Sequence, residues 1–250
     1  MPSLVNMVQM QTASNFQFSG VGIEHLDASE YTLATIVVDT SGSVDAWQDK
    51  LANCIKEIVK SGRKSPRAEN FLVRVTAFND HIQEIHGFQE LSSINLNSYS
   101  ALNPIGGTAL FDAMQEAIDA TITYATQLSA NDYLVNAVVY VLTDGDNNSG
   151  NGTVDGIKKS IKSTSKGEKH LESLAVILIG VGYDANPQYL DGVKQSAGIT
   201  QFVDMTKLFK EKSPANALAQ LAGFVSKSFS TTSQALQSGN SRPMSSALVI

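Results

Sequence analysis

The sequence is poor in cysteine and in charge, and it has no long apolar run. Cys54 is the only cysteine among 250 residues, so no disulfide can form within the chain. Only 17% of the residues are charged, the formal net charge is −6, and lysine and arginine form no long block. Binding to nucleic acid or to an anionic membrane is therefore not expected as the main task. No signal-peptide pattern opens the chain and no stretch is long enough to span a bilayer, which predicts a cytoplasmic protein.

Alternating strand and helix patterns predict an α/β fold. Short apolar runs predict strands at 33–38, 71–78, 81–88, 134–142, 174–180 and 201–204. Helical periodicity predicts helices that begin near residues 44, 110, 154, 187 and 214. With right-handed crossovers, we expect a doubly wound, Rossmann-like and mostly parallel sheet of about six strands, with one antiparallel edge strand and helices on both faces.

Composition divides the chain into three parts. Residues 1–30 are mixed in character and predict an arm that packs on the main domain, and residues 31–229 carry the strand and helix alternation. Residues 230–250 are mainly Ser, Thr, Gln and Gly before a final Leu248-Val249-Ile250, a composition that cannot form its own core. We expect this C-terminal tail to need a surface on which to order.

Polar side chains follow the first predicted strand in the order Asp39-Thr40-Ser41-Gly42-Ser43. In an extended segment, residues two apart point to the same side, so Asp39, Ser41 and Ser43 can present one carboxylate and two hydroxyls to a common point. Such hard oxygen donors favour Mg²⁺ or Mn²⁺, and Ca²⁺ less so. A plainer alternative is a turn and a helix cap in which Ser43 accepts from the first free amides.

Two further polar loops are expected at the same edge of the sheet. Thr108 follows Gly106-Gly107 ahead of a predicted helix, and Asp144 follows the buried strand at 134–142. Because the carboxyl ends of parallel strands meet at one edge, Asp39, Thr108 and Asp144 are predicted to converge there. Thr108 could also cap the helix that follows it.

These motifs resemble those of the von Willebrand factor type A family. The resemblance lies in Asp39-x-Ser41-x-Ser43, in the threonine of Gly106-Gly107-Thr108, and in Asp144 of a Thr-Asp-Gly sequence after a buried strand. The order of elements over residues 31–229 is similar as well. The chain looks more like bacterial or phage cytosolic members of the family than like secreted animal ones.

The resemblance implies a metal-ion-dependent adhesion site, or MIDAS. Ser41 and Ser43 then look like direct ligands, Thr108 like a direct or water-linked ligand, and Asp39 and Asp144 like carboxylates that hold coordinated waters. In this family an Asp or Glu of a partner protein often completes the shell, which suits Mg²⁺ because it keeps exchangeable waters. The implied function is a non-catalytic protein-binding module.

Enzyme interpretations find less support in these residues. A haloacid dehalogenase-like phosphatase also has a metal-binding Asp at the end of its first strand, but Ser41 stands where its general acid is normally found. Acyl transfer by Ser41 or Ser43 needs a nearby base, and the four histidines lie in unrelated segments, at His25, His81, His86 and His170.

A separate calcium site is a further alternative. Asp144, Asp146, Asn148 and Asp155 have positions similar to those of an EF-hand loop, although the turn glycine and the terminal Glu are replaced and a strand precedes the loop. We expect instead that Asp144 belongs to the main site and that Asp146, Asn147 and Asn148 shape its rim.

A second functional hypothesis makes the protein a self-assembling structural subunit. The N-terminal arm and Leu248-Val249-Ile250 would then dock on neighbouring copies and form a homo-oligomer. The binding-module hypothesis does not name its partner, because the sequence predicts the receiving site and not its ligand.

Overall fold

The strands form one sheet with the order β1-β2-β5-β4-β3-β6-β7-β8 among the described residues. The computed structural model describes residues 6–163, 171, 173–182 and 185–237. The strands are β1 (Met7–Gln11), β2 (Gln17–Val21), β3 (Glu30–Asp39), β4 (Phe71–Phe78), β5 (Ile82–Glu90), β6 (Leu134–Thr143), β7 (Ser173–Gly180) and β8 (Gln201–Asp204). The helices are α1 (Gln48–Gly62), α2 (Leu110–Ser129), α3 (Val154–Ser163), α4 (Pro187–Ala197), α5 (Thr206–Glu211) and α6 (Pro214–Gln237).

Strand β3 lies where the chain reverses its direction of travel across the sheet. It pairs in parallel with β4 on one side and with β6 on the other, and β7 and β8 continue in parallel beyond β6. Strand β5 is antiparallel to β4. Open α/β sheets usually bind ligands at such a switch point, outside the carboxyl ends of the strands. The carboxyl ends of β3 and β6 are therefore the positions to examine for a site.

Helices cover both faces of the sheet, which explains why β3 lacks a polar side. All of its residues after Glu30 are buried. Ala34, Ile36 and Val38 pack in a cluster with α1 and α6, whereas Val37 packs in a second cluster with α2, α3 and α4. Burial on both faces is typical of parallel sheets and needs a continuous apolar run, so the predicted α/β class with helices on both faces is confirmed.

The sheet is larger than the six strands expected from sequence. Strands β1 and β2 form an antiparallel hairpin within the segment predicted as an arm, and β2 pairs in parallel with β5 through Gly20 and Phe88. Strand β5 is antiparallel as predicted but is not the outer edge, because the hairpin covers it. Phe18 anchors the hairpin by an edge-on contact with Phe88, with 6.3 Å between the ring centroids.

The last helix extends beyond the boundary that composition suggested. Helix α6 continues to Gln237 and so includes the first residues of the predicted 230–250 tail. Once a helix is anchored on the core, each added residue gains one backbone hydrogen bond. The stabilisation by this bond does not depend on apolar side chains. Residues 238–250, with the predicted docking segment Leu248-Val249-Ile250, lie outside the described residues. Within the described ranges, no helix combines the length and apolarity that crossing a bilayer requires.

Candidate metal centre

The ends of β3 and β6 bring the first and last predicted site residues to one edge of the sheet. Asp39 is the last residue of β3, and Asp144 directly follows β6. The two strands are in parallel register up to the pair Val38 and Leu142. Both carboxylates therefore leave the sheet at the switch point, where the alternation of elements predicted them.

One hydrogen-bonded set connects four of the five predicted residues. Oδ1 of Asp39 accepts from the backbone amide of Ser41 at 2.8 Å. The hydroxyls of Ser41 and Ser43 are 3.0 Å apart, and the hydroxyl of Ser43 donates to Oδ1 of Asp144 at 2.8 Å. The two carboxylates and two hydroxyls are thus neighbours in space, as the spacing Asp-x-Ser-x-Ser required.

Thr108, the fifth predicted residue, lies beside the same set. Its hydroxyl oxygen would be 3.7 Å from a Cβ atom placed on Gly145, the residue after Asp144. Its backbone amide donates to Oδ1 of Asn148 at 2.7 Å, and its carbonyl accepts from the amide of Asn148 at 3.0 Å. These contacts join the loop before α2 to the loop after β6, so all three predicted loops meet.

The helix-cap alternatives do not describe this arrangement. The hydroxyl of Ser43 is used within the site. The prediction that Thr108 caps α2 is wrong, because the N-cap residue is Ala109 and it makes no side-chain cap bond. The amide of Phe111 in the first turn is satisfied by Oδ1 of Asn147 at 2.9 Å instead. Because Asn147 takes the role of the helix cap, the Thr108 hydroxyl is not needed there and is available to the site.

Burial decreases across the set from its base to its surface. Asp39 is completely buried, Ser41 and Thr108 are almost so, Asp144 is 7% exposed, and Ser43 is exposed. Burial raises the pKa of Asp39, and hydrogen bonds from Ser41 and Thr143 act in the opposite direction. A buried carboxylate is costly unless a cation or hydrogen bonds compensate it.

The residues present fit a hard divalent cation. The donor set contains two carboxylates and three hydroxyls, with neither sulfur nor imidazole, and such oxygen sets suit Mg²⁺, Mn²⁺ or Ca²⁺. No lysine or arginine of the described chain forms an ion pair with Asp39. A bound cation would be the positively charged partner that the buried Asp39 carboxylate otherwise lacks.

The EF-hand alternative is not supported by the described residues. No group of three or more His, Cys, Asp or Glu side chains comes together among them in a way that could hold a metal. Asn148 directs its carboxamide oxygen to the amide of Thr108, and Asp155 lies in the first turn of α3. The loop after β6 therefore serves the main site instead of forming a second one.

Sequence reasoning did not assign the residues that hold the site in place. Oγ1 of Thr143 donates to Oδ2 of Asp39 at 2.6 Å, and Asn148 bonds both backbone groups of Thr108. Asn147, expected only at the rim, caps α2. The sequence did show polar residues at the end of each buried segment. Which of these residues face the site depends on how the loops meet in the folded protein.

The Gly106-Gly107 turn needs glycine because of the hairpin loop between β4 and β5. Gly106 has φ +79°, and a Cβ atom there would overlap Oδ2 of Asp80. The same oxygen accepts from the amide of Gly107 at 2.9 Å, which lowers the pKa of Asp80. By contrast, a Cβ atom on Gly42 would make only ordinary contact, 3.7 Å from the Gly106 carbonyl.

The surface around the site combines acidic and apolar groups. Ile105 is 61% exposed, and its amide donates to the carbonyl of Thr40 at 3.0 Å, which fixes its backbone beside the site. Asp45 is exposed, and Asp146 has its Oδ2 3.5 Å from Nδ2 of Asn186. A ligand that enters over Ser43 would therefore meet an apolar side chain and negative charge.

The described histidines make their contacts away from the two serines. Nε2 of His86 accepts from the Tyr99 hydroxyl at 2.7 Å, and His25 lies 3.5 Å from Glu24. His81 is in the hairpin loop, where its amide donates to Asn79. His170 lies outside the described residues.

Comparison with known sequences identifies a family. The profile of the von Willebrand factor type A domain matches residues 35–221, which is more than half of the chain and includes all five predicted site residues. Among curated protein sequences, no significant match was found.

Solved structures share the fold at low sequence identity. The chain is similar to the D319A mutant of the PilB minor pilin from Streptococcus sanguinis, with TM-score 0.58, 14% identity, and coverage of 82% of this chain and 63% of that one. It is also similar to proximal thread matrix protein 1 from the mussel byssus, with TM-score 0.52, 21% identity and coverage of 81% and 47%.

A third structure is described as a von Willebrand factor type A protein from Catenulispora acidiphila. It has TM-score 0.51 and 18% identity, with coverage of 85% of this chain and 44% of that one. The chain thus spans less than two thirds of the length of each of these three structures, and at these identities the likeness concerns the fold.

Proposed function

Because the chain belongs to the von Willebrand factor type A domain family, we propose that it is a non-catalytic module that binds a partner protein through a divalent metal. Asp39, Ser41, Ser43, Thr108 and Asp144 would hold the ion in a MIDAS-type site. A carboxylate from an Asp or Glu of the partner would complete its coordination. The ion supplies the positive charge that lets a carboxylate approach an acidic surface.

The exposure of the hydrogen-bonded set is the observation that carries this proposal. Asp39 at its base is closed to solvent, whereas Ser43 at its top is exposed and bonded to Asp144. An ion held by these oxygens would be coordinated by the protein on its buried side and accessible to a ligand on its solvent side. This arrangement suits recognition of an external group more than a purely structural ion.

The rim adds a requirement for the partner. Ile105 offers an exposed apolar side chain beside the site, while Asp45 and Asp146 are exposed acidic groups. A partner with an apolar side chain next to its carboxylate would cover Ile105. An acidic patch on the partner would instead be repelled, because like charges at an interface are unfavourable.

The non-catalytic part of the proposal is supported by the surroundings of the two serines in the described residues, where no histidine contacts either hydroxyl and the neighbouring carboxylates are proposed metal residues. Proton abstraction from Ser41 or Ser43 would need a base within hydrogen-bond reach. These hydroxyls bond to each other, Ser43 donates to Asp144, and Ser41 also bonds the Asp39 carboxylate. Both carboxylates are expected to serve the ion, which leaves no activated nucleophile.

Metal binding is tested with a matched pair of substitutions in one loop. Asp144→Asn removes a proposed metal residue, and Asp146→Asn removes the same charge two residues away at the rim. Isothermal titration with Mg²⁺, Mn²⁺ and Ca²⁺ should show binding to the wild type and to Asp146→Asn, with binding lost in Asp144→Asn. Equal affinities in all three proteins would contradict the proposed site.

Partner binding is tested by affinity capture of the same three proteins with Mg²⁺ or with a chelator. We expect a protein that is retained by the wild type and by Asp146→Asn in Mg²⁺, and that is released by the chelator. Retention of the same protein by Asp144→Asn, or in the presence of chelator, would rule out a metal-mediated contact. Metal binding without any metal-dependent partner would rule out the adhesion function and keep the site.

A further inference from the structure

The outer edge of β1 carries backbone groups without partners among the described residues. Strands β1 and β2 pair antiparallel, with Val8 opposite Gly20 and Met10 opposite Phe18. The hydrogen bond from the Thr12 amide to the Phe16 carbonyl shows that Thr12 and Phe16 are a hydrogen-bonded pair of this ladder. In an antiparallel pair only alternate residues bond inward, so the even-numbered residues bond to β2.

The odd-numbered residues of β1 therefore direct their backbone groups away from β2. These are Met7, Gln9 and Gln11, which gives a row of donors and acceptors at the end of the sheet order. Unpaired edges of this kind are templates for pairing with another strand, and proteins usually protect them with charge, proline or a bulge. The segment Met7–Gln11 reads Met-Val-Gln-Met-Gln and contains no such protection.

We propose that β1 pairs antiparallel with β1 of a second copy of this chain, around a two-fold axis at Gln9. The axis places Met7 of one copy opposite Gln11 of the partner subunit, and Gln9 opposite Gln9 of the partner subunit. These two pairings, and the symmetry-related copy of the first, use the outward-facing groups, so each can exchange both N–H···O bonds. The result is a dimer in which two sheets become one.

The side chains of the edge match the same register. The axis places Val8 opposite Met10 of the partner subunit, and paired residues lie on the same face of a sheet. Val8 is 46% exposed although it is an apolar residue in a strand. Each copy would thus contribute one Val8 and one Met10 to an apolar contact repeated on both sides of the axis.

A hollow beside β1 has room for the added side chains. It has a volume of about 330 Å³ and lies between β1 and the second half of α2, where its lining includes Val8, Met10, Val21 and Tyr124. Of its lining residues only Glu24 is charged. The edge therefore carries little charge in a chain with net charge −6.

A second copy fits this edge better than an unrelated extended peptide for a reason of symmetry. Closed two-fold dimers need a surface that is complementary to itself. The order Met-Val-Gln-Met-Gln places apolar residues opposite apolar residues on the α2 face when the strand is paired with itself around Gln9. Two acidic molecules also meet here with little charge between them, which lowers the repulsion that opposes their association.

The test uses the full chain and a matched pair at the axis. Gln9→Pro removes one outward amide and no bond to β2, since proline is tolerated on the solvent side of an edge strand. Gln9→Thr keeps the amide. Sedimentation equilibrium over about two decades of concentration should give a dimer for the wild type and for Gln9→Thr, and a monomer for Gln9→Pro. Val8→Lys, which places charge on the edge without altering the backbone, should also be monomeric.

Hydrogen exchange of single amides gives a second readout that does not depend on any variant. In dilute protein the amides of Val8 and Met10 should be protected and those of Met7, Gln9 and Gln11 should exchange freely. At dimer concentrations the odd-numbered amides should become protected as well. A wild type that stays monomeric, a dimer that persists in both Gln9→Pro and Val8→Lys, or odd-numbered amides that stay unprotected in the dimer would overturn the proposal.

Discussion

Thr143 donates a 2.6 Å hydrogen bond from Oγ1 to Oδ2 of Asp39, and both residues are completely buried. The bond joins the ends of β3 and β6 beneath the candidate metal centre. The same hydroxyl oxygen accepts from the amide of Gly145 at 3.2 Å, next to Asp144. One side chain thus orients the buried carboxylate and the start of the loop that carries the second one.

Thr143→Val should therefore weaken metal binding without removing any proposed ligand. The change leaves one oxygen of Asp39 without its donor, and an unmet buried acceptor costs about 1–3 kcal/mol. We expect Mg²⁺ affinity to fall roughly tenfold, since 1.4 kcal/mol corresponds to that factor. Titration calorimetry measures the loss, and Thr143→Ser, which keeps the hydroxyl, is the control. Unchanged affinity in Thr143→Val would show that this hydrogen bond does not support metal binding.

Gly106→Ala should destabilise the fold more than an alanine at another positive-φ glycine. Gly198 has φ +75° and open space around the position that a Cβ would take, whereas at Gly106 the added atom meets Oδ2 of Asp80. The left-handed conformation alone costs about 1–2 kcal/mol for alanine, so Gly198→Ala reports that term. Urea denaturation should give a larger loss for Gly106→Ala. Adding Asp80→Ala to it should recover part of the difference, and no recovery would argue against the predicted clash.

Arg74→Met should be strongly destabilising because Arg74 balances two carboxylates. Its Nη2 is 2.6 Å from Oε1 of Glu116 and its Nε is 2.7 Å from Oε2 of Glu84. Arg74 and Glu116 are both almost fully buried. Removing one member of a buried pair typically costs about 3–5 kcal/mol. The free energy of unfolding should fall by an amount in this range, as measured by denaturant titration at pH 7.

The same variant should acquire a pH dependence with a definite sign. Burial raises the pKa of Glu116 and the Arg74 guanidinium acts in the opposite direction, so losing Arg74 raises this pKa further. A folded-state pKa above the unfolded value favours folding at low pH, and that advantage disappears as the pH rises. Arg74→Met should lose stability relative to the wild type between pH 5 and 8, roughly the range above the unfolded carboxyl pKa. The double variant with Glu116→Gln should lose this slope, and a slope that persists there would implicate another group.

His86 should make the fold less stable in acid. Burial lowers its pKa from 6.5 to about 4, although Nδ1 bonds the Gly87 carbonyl and this bond acts in the opposite direction. A base with a lowered folded-state pKa contributes stability above its unfolded pKa, and that contribution decreases as the pH falls from about 6.5 towards 4. The full shift corresponds to roughly 3 kcal/mol.

The contribution of His86 is isolated by comparison with His86→Gln. Free energies of unfolding at pH 7 and pH 4.5 should differ less in His86→Gln than in the wild type, because the titrating ring is absent. Carboxylates titrate over the same range in both proteins and cancel in the difference. Identical pH profiles would show that His86 is not the responsible group.

The sequence predicted the elements around the site better than those at the ends of the chain. The strand Phe71–Phe78 and the helix Leu110–Ser129 have the predicted bounds, because long apolar periodicity reports burial directly. The β1–β2 hairpin was predicted as an arm with a short edge strand at residues 16–18, and β1 was not predicted because the alternation in Met7–Gln11 is weak and half exposed. The hairpin's place in the sheet depends on contacts of β2 with β5, such as Phe18 against Phe88 and Ser19 bonded to Glu84, and these contacts are not encoded in local pattern.

The candidate site separates into a part that local spacing determines and a part that depends on tertiary contacts. Asp39, Ser41 and Ser43 converge because residues two apart in extended backbone face the same side, and this follows from the sequence alone. The positions of Thr143 and Asn148 as supports for Asp39 and Thr108 could not be deduced in this way. Each bridges two loops that are far apart in the chain.

The sequence by itself determined the α/β alternation, the oxygen-rich donor set and the convergence of three loops at one edge. Hydrophobic periodicity indicates the type of each element, and parallel strands place their carboxyl ends at the same edge of the sheet. Only the tertiary structure decided which hydroxyls orient the carboxylates, why Gly106 must be glycine, and that β1, within the described residues, is an outer strand with an uncharged edge. These depend on contacts between distant segments, and such contacts form when the whole core packs. The polar motif after β3 therefore provides one part of the candidate site, and the loops around it bring the other predicted residues next to it.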